Sequence, residues 1–254
     1  MNINMNLTYA LSVIFLLFFI TYEPVAGYFS FRKFIKLQTS GNNMRIKYYK
    51  KLLAGIWIPV VIISALAAAG LFSWEALGVK LVALPFKTVN KWFIAGTLIL
   101  SLILFILTLY QLLAAKFSPA YREKLKAQAA QIPAELSAML PQTAQEKRYW
   151  LFISITAGLT EEFMYRGFLL YILNYLFPAA GIIVCVLASA IIFGLAHSYQ
   201  GISGIAKTGI LGLLFSSIYI TTGSILPGMV LHFIIDFAAK DYMQSSENTT
   251  AAAG

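Results

Sequence analysis

Two adjacent carboxylates and an arginine interrupt a long apolar segment of the chain. They are Glu161, Glu162 and Arg166, in the sequence Thr-Glu-Glu-Phe-Met-Tyr-Arg. A charged side chain inside a membrane-length helix costs at least ~2.5–3.5 kcal/mol on insertion scales, so such residues point to function. On a helix Glu162 and Arg166 share one face and can pair, whereas Glu161 is rotated away by about 100° and faces another helix. A buried carboxylate without a cation partner can serve as a general base.

Both histidines of the chain lie in later apolar segments. His197 follows Phe193 by four residues, so the phenyl ring lies one helical turn below the imidazole as an apolar floor. His232 and Asp236 are also four residues apart, so one helix face presents an imidazole and a carboxylate together. A single histidine on an apolar helix is usually structural. The concentration of these polar groups in three apolar segments favours one shared site.

Such a site predicts hydrolysis without a covalent intermediate. A Glu and a His activate water, and the second His with Asp236 positions or stabilises the attacked carbonyl. The sequence shows no Gly-rich phosphate loop, His-Glu-x-x-His motif or Gly-x-Ser-x-Gly elbow, and its single Cys185 lies in an apolar run typical of core packing. Alternatively, the same groups could ligate a divalent metal such as Zn²⁺, with Glu161, His197 and His232 as ligands. The residues alone leave both chemistries open.

The elements that must position these residues are membrane-spanning helices. The chain is 59% hydrophobic and only 11% charged, against about 25% charged residues in soluble domains. This composition predicts an all-α, polytopic transmembrane helical bundle of about seven spans, with six to eight acceptable and the catalytic cavity between the C-terminal helices. The predicted spans are residues 7–22, 52–72, 93–115, 149–171, 179–197, 204–220 and 225–240.

The distribution of charge predicts the topology. The net charge of +9 gathers in two segments between spans, 32–51 and 116–148. By the positive-inside rule these segments are cytoplasmic, which explains the basic residues better than a nucleic-acid surface does. Residues 1–6 carry no Lys or Arg, which favours a retained first helix over a cleaved signal peptide. Glu23, near the end of that first run, is expected at the membrane interface.

Four regions are expected along the chain. They are a three-span N-terminal region with a basic cytoplasmic loop (1–115), an amphipathic cytoplasmic linker (116–148), a catalytic helical core (149–240) and a polar tail (241–254). Within the core, small side chains recur every fourth residue from Gly204 through Thr208 and Gly212 to Ser216, a pattern that allows close helix packing. With no organellar targeting signal, a multi-pass protein of a bacterial inner membrane is favoured.

Taken in order, the three motifs resemble the CPBP family of intramembrane proteases. This family, also called ABI, includes the CAAX prenyl protease 2 type enzymes and bacteriocin-processing or immunity proteins. The resemblance extends over about residues 149–240 and implies an all-helical membrane endopeptidase. In family terms, Glu161 and His197 activate the water and His232 forms the oxyanion site with residue 236, while Glu162 and Arg166 support the geometry. Members are commonly labelled metalloproteases, yet a glutamate-based mechanism without metal is also described for the family.

One departure from the family pattern concerns residue 236, which is Asp where the prenyl-protease branch typically has Asn. An ionised carboxylate repels an oxyanion, so a charged Asp236 would instead orient His232 or bind a metal. The departure also weakens the case for a prenylated CAAX peptide. A hydrophobic peptide or membrane-protein segment, with or without a lipid modification, is the expected substrate, and the lipid bilayer is the expected surroundings.

Two other functions can use the same residues. A non-catalytic membrane scaffold or bacteriocin-immunity protein could bind a peptide in the cavity, with Glu161, Glu162 and Arg166 only fixing helix packing. A proton-coupled transporter could use buried Glu and His residues as a proton relay. The absence of a visible internal repeat counts against a transporter, because many transporters are built from paired halves.

Overall fold

The N-terminal half of the protein is a set of long apolar helices. The computed structural model describes residues 3–38, 43–85 and 89–243, and it contains helices and no strand in those ranges. The helices of this half are α1 (Ile3–Leu17), α2 (Glu23–Leu37), α3 (Met44–Ala68), α4 (Lys91–Phe117), α5 (Pro119–Ala129) and α6 (Ala134–Ser137). A π-helical turn, Phe18–Tyr22, joins α1 to α2 as one continuous rod.

The C-terminal half carries all of the predicted site residues. Its helices are α7 (Ala144–Glu161), α8 (Leu170–Leu176), α9 (Gly181–Ala196), α10 (Gly201–Thr222) and α11 (Leu226–Ala238). A π-helical segment, Glu162–Leu169, joins α7 to α8, and 3-10 turns follow at Pro178–Ala180, Ser198–Gln200 and Ala239–Met243. The predicted all-α class is confirmed, and each predicted span overlaps one or more of these helices.

The described chain contains five candidate spans by helix length and composition, beside the sequence-based expectation of about seven spans. Five helical stretches of the described chain are long and apolar enough to cross a membrane: Met5–Leu37, Met44–Ala68, Lys91–Phe117, Pro178–Ala196 and Ser198–Thr222. The predicted span 149–171 is not among them, since it carries the charged motif. The predicted span 225–240 corresponds to α11, whose 13 residues extend roughly 20 Å at 1.5 Å per residue. That length is short of a ~30 Å hydrocarbon core.

The predicted basic loop 32–51 is mostly helical. Its first basic residues lie on the last turns of α2, and the others lie on the first turns of α3. The helix continues past Pro24 because this residue occupies the start of α2, where the wider π turn before it accommodates the missing N–H. Glu23 consequently lies inside a 33-residue helical stretch, and its expected place at the membrane interface stays a prediction.

Glycines allow the helices of the C-terminal half to approach closely. A Cβ added to Gly158 of α7 would lie 2.8 Å from the carbonyl oxygen of Met229 on α11. Similarly, a Cβ added to Gly194 of α9 would lie 2.7 Å from the carbonyl oxygen of Ile205 on α10. Gly212, from the predicted small-residue face, has its added Cβ 3.2 Å from Cα of Ala190. These contacts hold α7 close to α11 and α9 close to α10.

The segment after α3 supports the π segment from outside the bundle. A Cβ added to Gly167 would lie 2.6 Å from the carbonyl oxygen of Leu77. The backbone N–H of Ile225, just before α11, donates to the carbonyl oxygen of Gly78 at 3.1 Å. Residues 69–85 therefore brace both the π segment and the start of α11.

The polar segment between α4 and α7 is tied to the ends of α2 and α3. Nε of Arg45 donates to the carbonyl oxygen of Ala138 at 2.8 Å, and the Tyr49 hydroxyl donates to the carbonyl oxygen of Met139 at 2.5 Å. Arg45 also pairs with Glu146 at 2.6 Å, and Glu146 forms a capping box with Thr143 at the start of α7. Residues 244–254 of the predicted polar tail lie outside the described residues.

Candidate active site

The π segment places the two adjacent carboxylates in different surroundings. Glu161 is the last residue of α7 and Glu162 is the first residue of the π segment, all eight residues of which are buried. Single π turns inside helices occur frequently at functional sites because they change the direction of the side chains around them. Here Glu162 points towards His232 of α11, while Glu161 lines a cavity.

A buried carboxylate connects the arginine to one histidine. Oε1 of Glu162 lies 2.9 Å from Nδ1 of His232 and 3.0 Å from a terminal nitrogen of Arg166. The side chains of Glu162 and Arg166 are each 1% exposed. Because Nδ1 of His232 is occupied by this contact, Nε2 is the ring nitrogen left for the cavity.

Aromatic rings hold the arginine and the histidine in place. The guanidinium carbon of Arg166 lies 4.3 Å from the ring centre of Phe193 and 5.1 Å from that of Phe215. A second guanidinium nitrogen contacts the carbonyl oxygen of Gly212 at 3.4 Å. The ring of His232 stacks on Phe215, with ring centres 5.0 Å apart and planes inclined by 13°. Phe193 therefore contacts both Arg166 and His197, which lies one helical turn further along the chain.

Glu161 faces both histidines. Its Oε2 lies 3.9 Å from Nε2 of His197 and 3.9 Å from Nε2 of His232. This oxygen is buried and has no hydrogen-bond partner among the described residues. Nδ1 of His197 lies 2.9 Å from the carbonyl oxygen of Phe193, which leaves its Nε2 directed at Glu161. The structure thus brings together the three groups expected to act on water or metal.

Asp236 lies at the outer edge of this group. Its Oδ2 is 3.5 Å from Nε2 of His232, and its side chain is 36% exposed. The indole N–H of Trp150 donates to the backbone carbonyl of Asp236 at 2.9 Å and anchors this part of α11 to α7. Asp236 therefore contacts the same histidine nitrogen that Glu161 faces, while Glu162 occupies the other nitrogen.

The polar groups share one largely apolar cavity of about 740 Å³. Glu161, His197, His232 and Asp236 all line it. Apolar side chains of the π turn Phe18–Tyr22, α3, α7, α10 and the linker segment supply most of the remaining wall. Sites for organic ligands commonly have volumes of about 300–1,000 Å³ and a few convergent polar groups on apolar walls. The arrangement can hold an apolar chain beside a water-activating group.

Three residues near the site were not predicted from the sequence to belong to it. The Tyr165 hydroxyl donates to Oε2 of Glu23 at 2.8 Å, and both residues line the cavity. A Cβ added to Gly228 would lie 2.9 Å from Oε2 of Glu162, so only glycine leaves room for that carboxylate. Two sequence features could have identified Tyr165 and Glu23 as site residues. Tyr165 lies four residues after Glu161, and Glu23 is a lone carboxylate in an apolar run. Gly228 follows Pro227, and a Pro-Gly pair is typical of a turn rather than of a site.

The donor set suits a metal in its chemistry but not in its arrangement. Both imidazoles are hydrogen-bonded at Nδ1 and present Nε2, as metal-ligating histidines usually do. However, ligand atoms around Zn²⁺ lie about 2.0–2.2 Å from the ion, and no group of three His, Cys, Asp or Glu side chains in the described ranges is placed to hold one. A metal held by Glu161, His197 and His232 therefore stays a prediction.

The family of the C-terminal region follows from a comparison with known families. Residues 144–238 match the family model Rce1-like, described as type II CAAX prenyl endopeptidase Rce1-like. This region is a CAAX protease family domain. The match confirms the family expected from the three motifs, and the CAAX protease domain contains Glu161, His197, His232 and Asp236. No curated protein and no solved structure matched the chain.

Proposed function

We propose that this protein is a membrane-embedded endopeptidase in which Glu161 activates the water that hydrolyses a substrate peptide bond. The observation that carries the proposal is the position of Glu161 Oε2, which is buried, lacks a hydrogen-bond partner in the described chain and faces both Nε2 atoms. The family match supports a protease of the membrane, and the apolar helices support an integral membrane protein.

The first step assigned to these residues is activation of water. A water about 2.8 Å from each partner can bridge Oε2 of Glu161 and Nε2 of His197, which are 3.9 Å apart. Glu161 takes one proton as the oxygen attacks the carbonyl carbon, and His197 orients the water. The same carboxyl group then returns the proton to the leaving amine. This route leaves the carboxylate ready for another cycle and involves no covalent intermediate.

The second role belongs to His232. In its doubly protonated form, His232 donates Nδ1–H to Glu162 and Nε2–H to the oxygen of the attacked carbonyl, where negative charge develops. Asp236, 3.5 Å from Nε2, is assigned to orienting this ring, because an ionised carboxylate cannot itself stabilise an oxyanion. Glu162 and Arg166 are positioning residues that act through His232.

The proposed substrate is a hydrophobic peptide or membrane-protein segment. The apolar lining of the cavity suits such a chain, and the family description adds a prenylated CAAX peptide as the lipid-modified alternative. We place the protein in a bacterial inner membrane with segments 32–51 and 116–148 facing the cytoplasm, on the basis of their positive charge.

The test is cleavage of fluorogenic apolar peptides by the full-length protein in liposomes. Glu161→Gln preserves shape and removes the base, so we expect the cleavage rate to fall by at least about 100-fold. Glu123→Gln, on the exposed side of α5, is the matched control and should retain the wild-type rate. Full activity of Glu161→Gln would overturn the mechanism. Wild-type protein that binds peptides without cleaving them would favour the scaffold function instead.

A further inference from the structure

A carboxylate from the first helical rod enters the cavity beside the catalytic groups. Glu23 starts α2 and lines the cavity together with Tyr22, whereas its neighbour Val25 is 54% exposed and is not part of the cavity lining. No hydrogen bond or ion pair joins Glu23 to Glu161 or to either histidine in the described structure. Glu23 is therefore a separate polar group on the wall of the cavity, and the proposed water-activation chemistry does not use it.

The orientation of Glu23 is fixed through one of its two oxygens. Oε2 accepts the hydroxyl hydrogen bond of Tyr165 at 2.8 Å. Tyr165 is itself 1% exposed, and its ring packs 5.3 Å from Phe19 and 4.8 Å from Phe193, centre to centre. The other oxygen, Oε1, has no hydrogen-bond partner among the described residues. A rigid tyrosine thus holds the carboxylate in place and leaves one oxygen for a ligand.

The charge of Glu23 is not neutralised by the described protein. No lysine, arginine or histidine of the described chain forms an ion pair with it, and Tyr165 supplies a hydrogen bond without a positive charge. The cavity does contain two lysines, but Lys51 donates to the Ser30 hydroxyl at 2.8 Å and Lys207 is exposed. In largely apolar surroundings an uncompensated carboxylate attracts a cation more strongly than it would in water.

We propose that Glu23 forms a subsite for a positively charged side chain, lysine or arginine, of the peptide substrate. The inference rests on the proposed protease function, and it adds a specificity for a basic residue to an otherwise apolar substrate. Oε1 of Glu23 accepts a hydrogen bond from the substrate cation while Tyr165 retains Oε2. If Glu23 only anchored Tyr165, a neutral amide could accept the same hydrogen bond, and substrate charge would have no effect.

The experiment uses a series of cleavable apolar peptides, each with a single lysine at a different position. Norleucine at the same position is the neutral control of similar length. For the wild-type protein we expect one position at which lysine raises kcat/KM about tenfold over norleucine, as for a hydrogen bond between charged groups. Glu23→Gln should reduce this ratio to about one, and Glu23→Lys should favour glutamate at that position. Glu123→Gln should keep the wild-type ratio.

Binding to an inactive protein provides an independent readout. Glu161→Gln should bind the lysine peptide about tenfold more tightly than the norleucine peptide, and the double variant with Glu23→Gln should bind the two alike. Because binding does not require turnover, this comparison of binding affinities is valid even if Glu23→Gln by itself impairs catalysis. The subsite is overturned if no position prefers lysine in the wild type, or if the preference survives Glu23→Gln. Failure of the wild type to cleave any peptide, norleucine series included, would overturn the protease function instead.

Discussion

Oε1 of Glu162 lies 2.9 Å from Nδ1 of His232 and connects the π segment to the last helix. The same oxygen accepts a hydrogen bond from a terminal nitrogen of Arg166 at 3.0 Å, so one atom contacts both the arginine and the imidazole. This contact fixes which nitrogen of His232 faces the cavity. The second of the two adjacent glutamates therefore serves the site without lining the cavity.

Replacing Glu162 separates its role in stability from its role in catalysis. Glu162→Gln leaves the buried Arg166 without a counter-charge, and we expect a loss of about 3–5 kcal/mol in unfolding free energy. The double variant with Arg166→Met should regain part of this stability, since no buried charge remains unpaired. Its peptidase activity should stay at least about tenfold low because His232 still lacks its carboxylate. Unfolding and cleavage are measured on the same purified samples.

The result for Glu162 is read at a temperature at which every variant is folded. If the double variant has wild-type activity at that temperature, His232 does not need the Glu162 carboxylate. That outcome would contradict the assignment of Glu162 as a positioning residue.

Gly228 offers a test of geometry that leaves the catalytic residues unchanged. In Gly228→Ala the new Cβ would lie 2.9 Å from Oε2 and 3.4 Å from the carboxyl carbon of Glu162, so this side chain must move. We expect kcat to fall by about 10- to 100-fold, as for a displacement of about 1 Å in a catalytic group. Gly96→Ala is the control, because its Cβ meets no atom within 4 Å. Equal activity of the two variants would contradict the expectation.

The helical periodicity of the sequence predicted which polar groups on the same helix meet. Pairs four residues apart, such as Glu162 with Arg166 and His232 with Asp236, do lie together in the structure. The contact between Glu162 and His232 was not predicted, since no local spacing relates residues on different helices. The all-helical class followed from composition, but the number of long apolar helices did not, because a short helix such as α11 is as apolar as a spanning one.

Two features depended on tertiary packing and had no local signal. The π segment widens one turn of an otherwise regular helix, and the apolar residues of Glu162–Leu169 are equally compatible with an α-helix. The position of Glu23 depended on the helix continuing through Pro24, where a proline usually suggests an end. Sequence reasoning consequently identified the residues that converge in the candidate site and missed Glu23, which lines the same cavity.

Chelation tests the metal alternative. With Glu161 as the base and no three described side chains arranged around an ion, we expect a strong chelator to leave the cleavage rate unchanged within about twofold. The measurement is peptidase activity before and after dialysis against the chelator, together with metal content. Loss of activity on chelation and its return with Zn²⁺ would instead assign Glu161, His197 and His232 as ligands.

The capping glutamate at the start of α7 predicts a pH dependence of stability. Burial raises the pKa of Glu146, but the backbone N–H groups of Thr143 and Gln142 and the side chain of Arg45 outweigh this effect and lower it from its ordinary value of 4.5. The ionised carboxylate therefore stabilises the folded protein above about pH 4.5, and this contribution is lost as the pH falls through the lower folded-state pKa.

Melting temperatures of the wild type and Glu146→Gln between pH 7 and pH 3 check this expectation. The variant should melt lower at pH 7, and the gap should close as the pH decreases. Glu123→Gln, whose partner Lys126 lies on the same exposed helix face, should track the wild type throughout. A gap that is constant with pH would contradict the assigned role of the Glu146 charge.

The π segment also makes the number of residues between α7 and α8 a functional property. Deleting one residue after Glu162 would shorten the wide π turn to a regular α turn. Arg166 would then follow Glu162 by three residues instead of four, and Tyr165 would shift relative to Glu161 and Glu23 in the same way. Among descendants of this protein, we expect residues 162–169 to exchange apolar side chains readily but to keep their length, so that indels are far rarer there than substitutions.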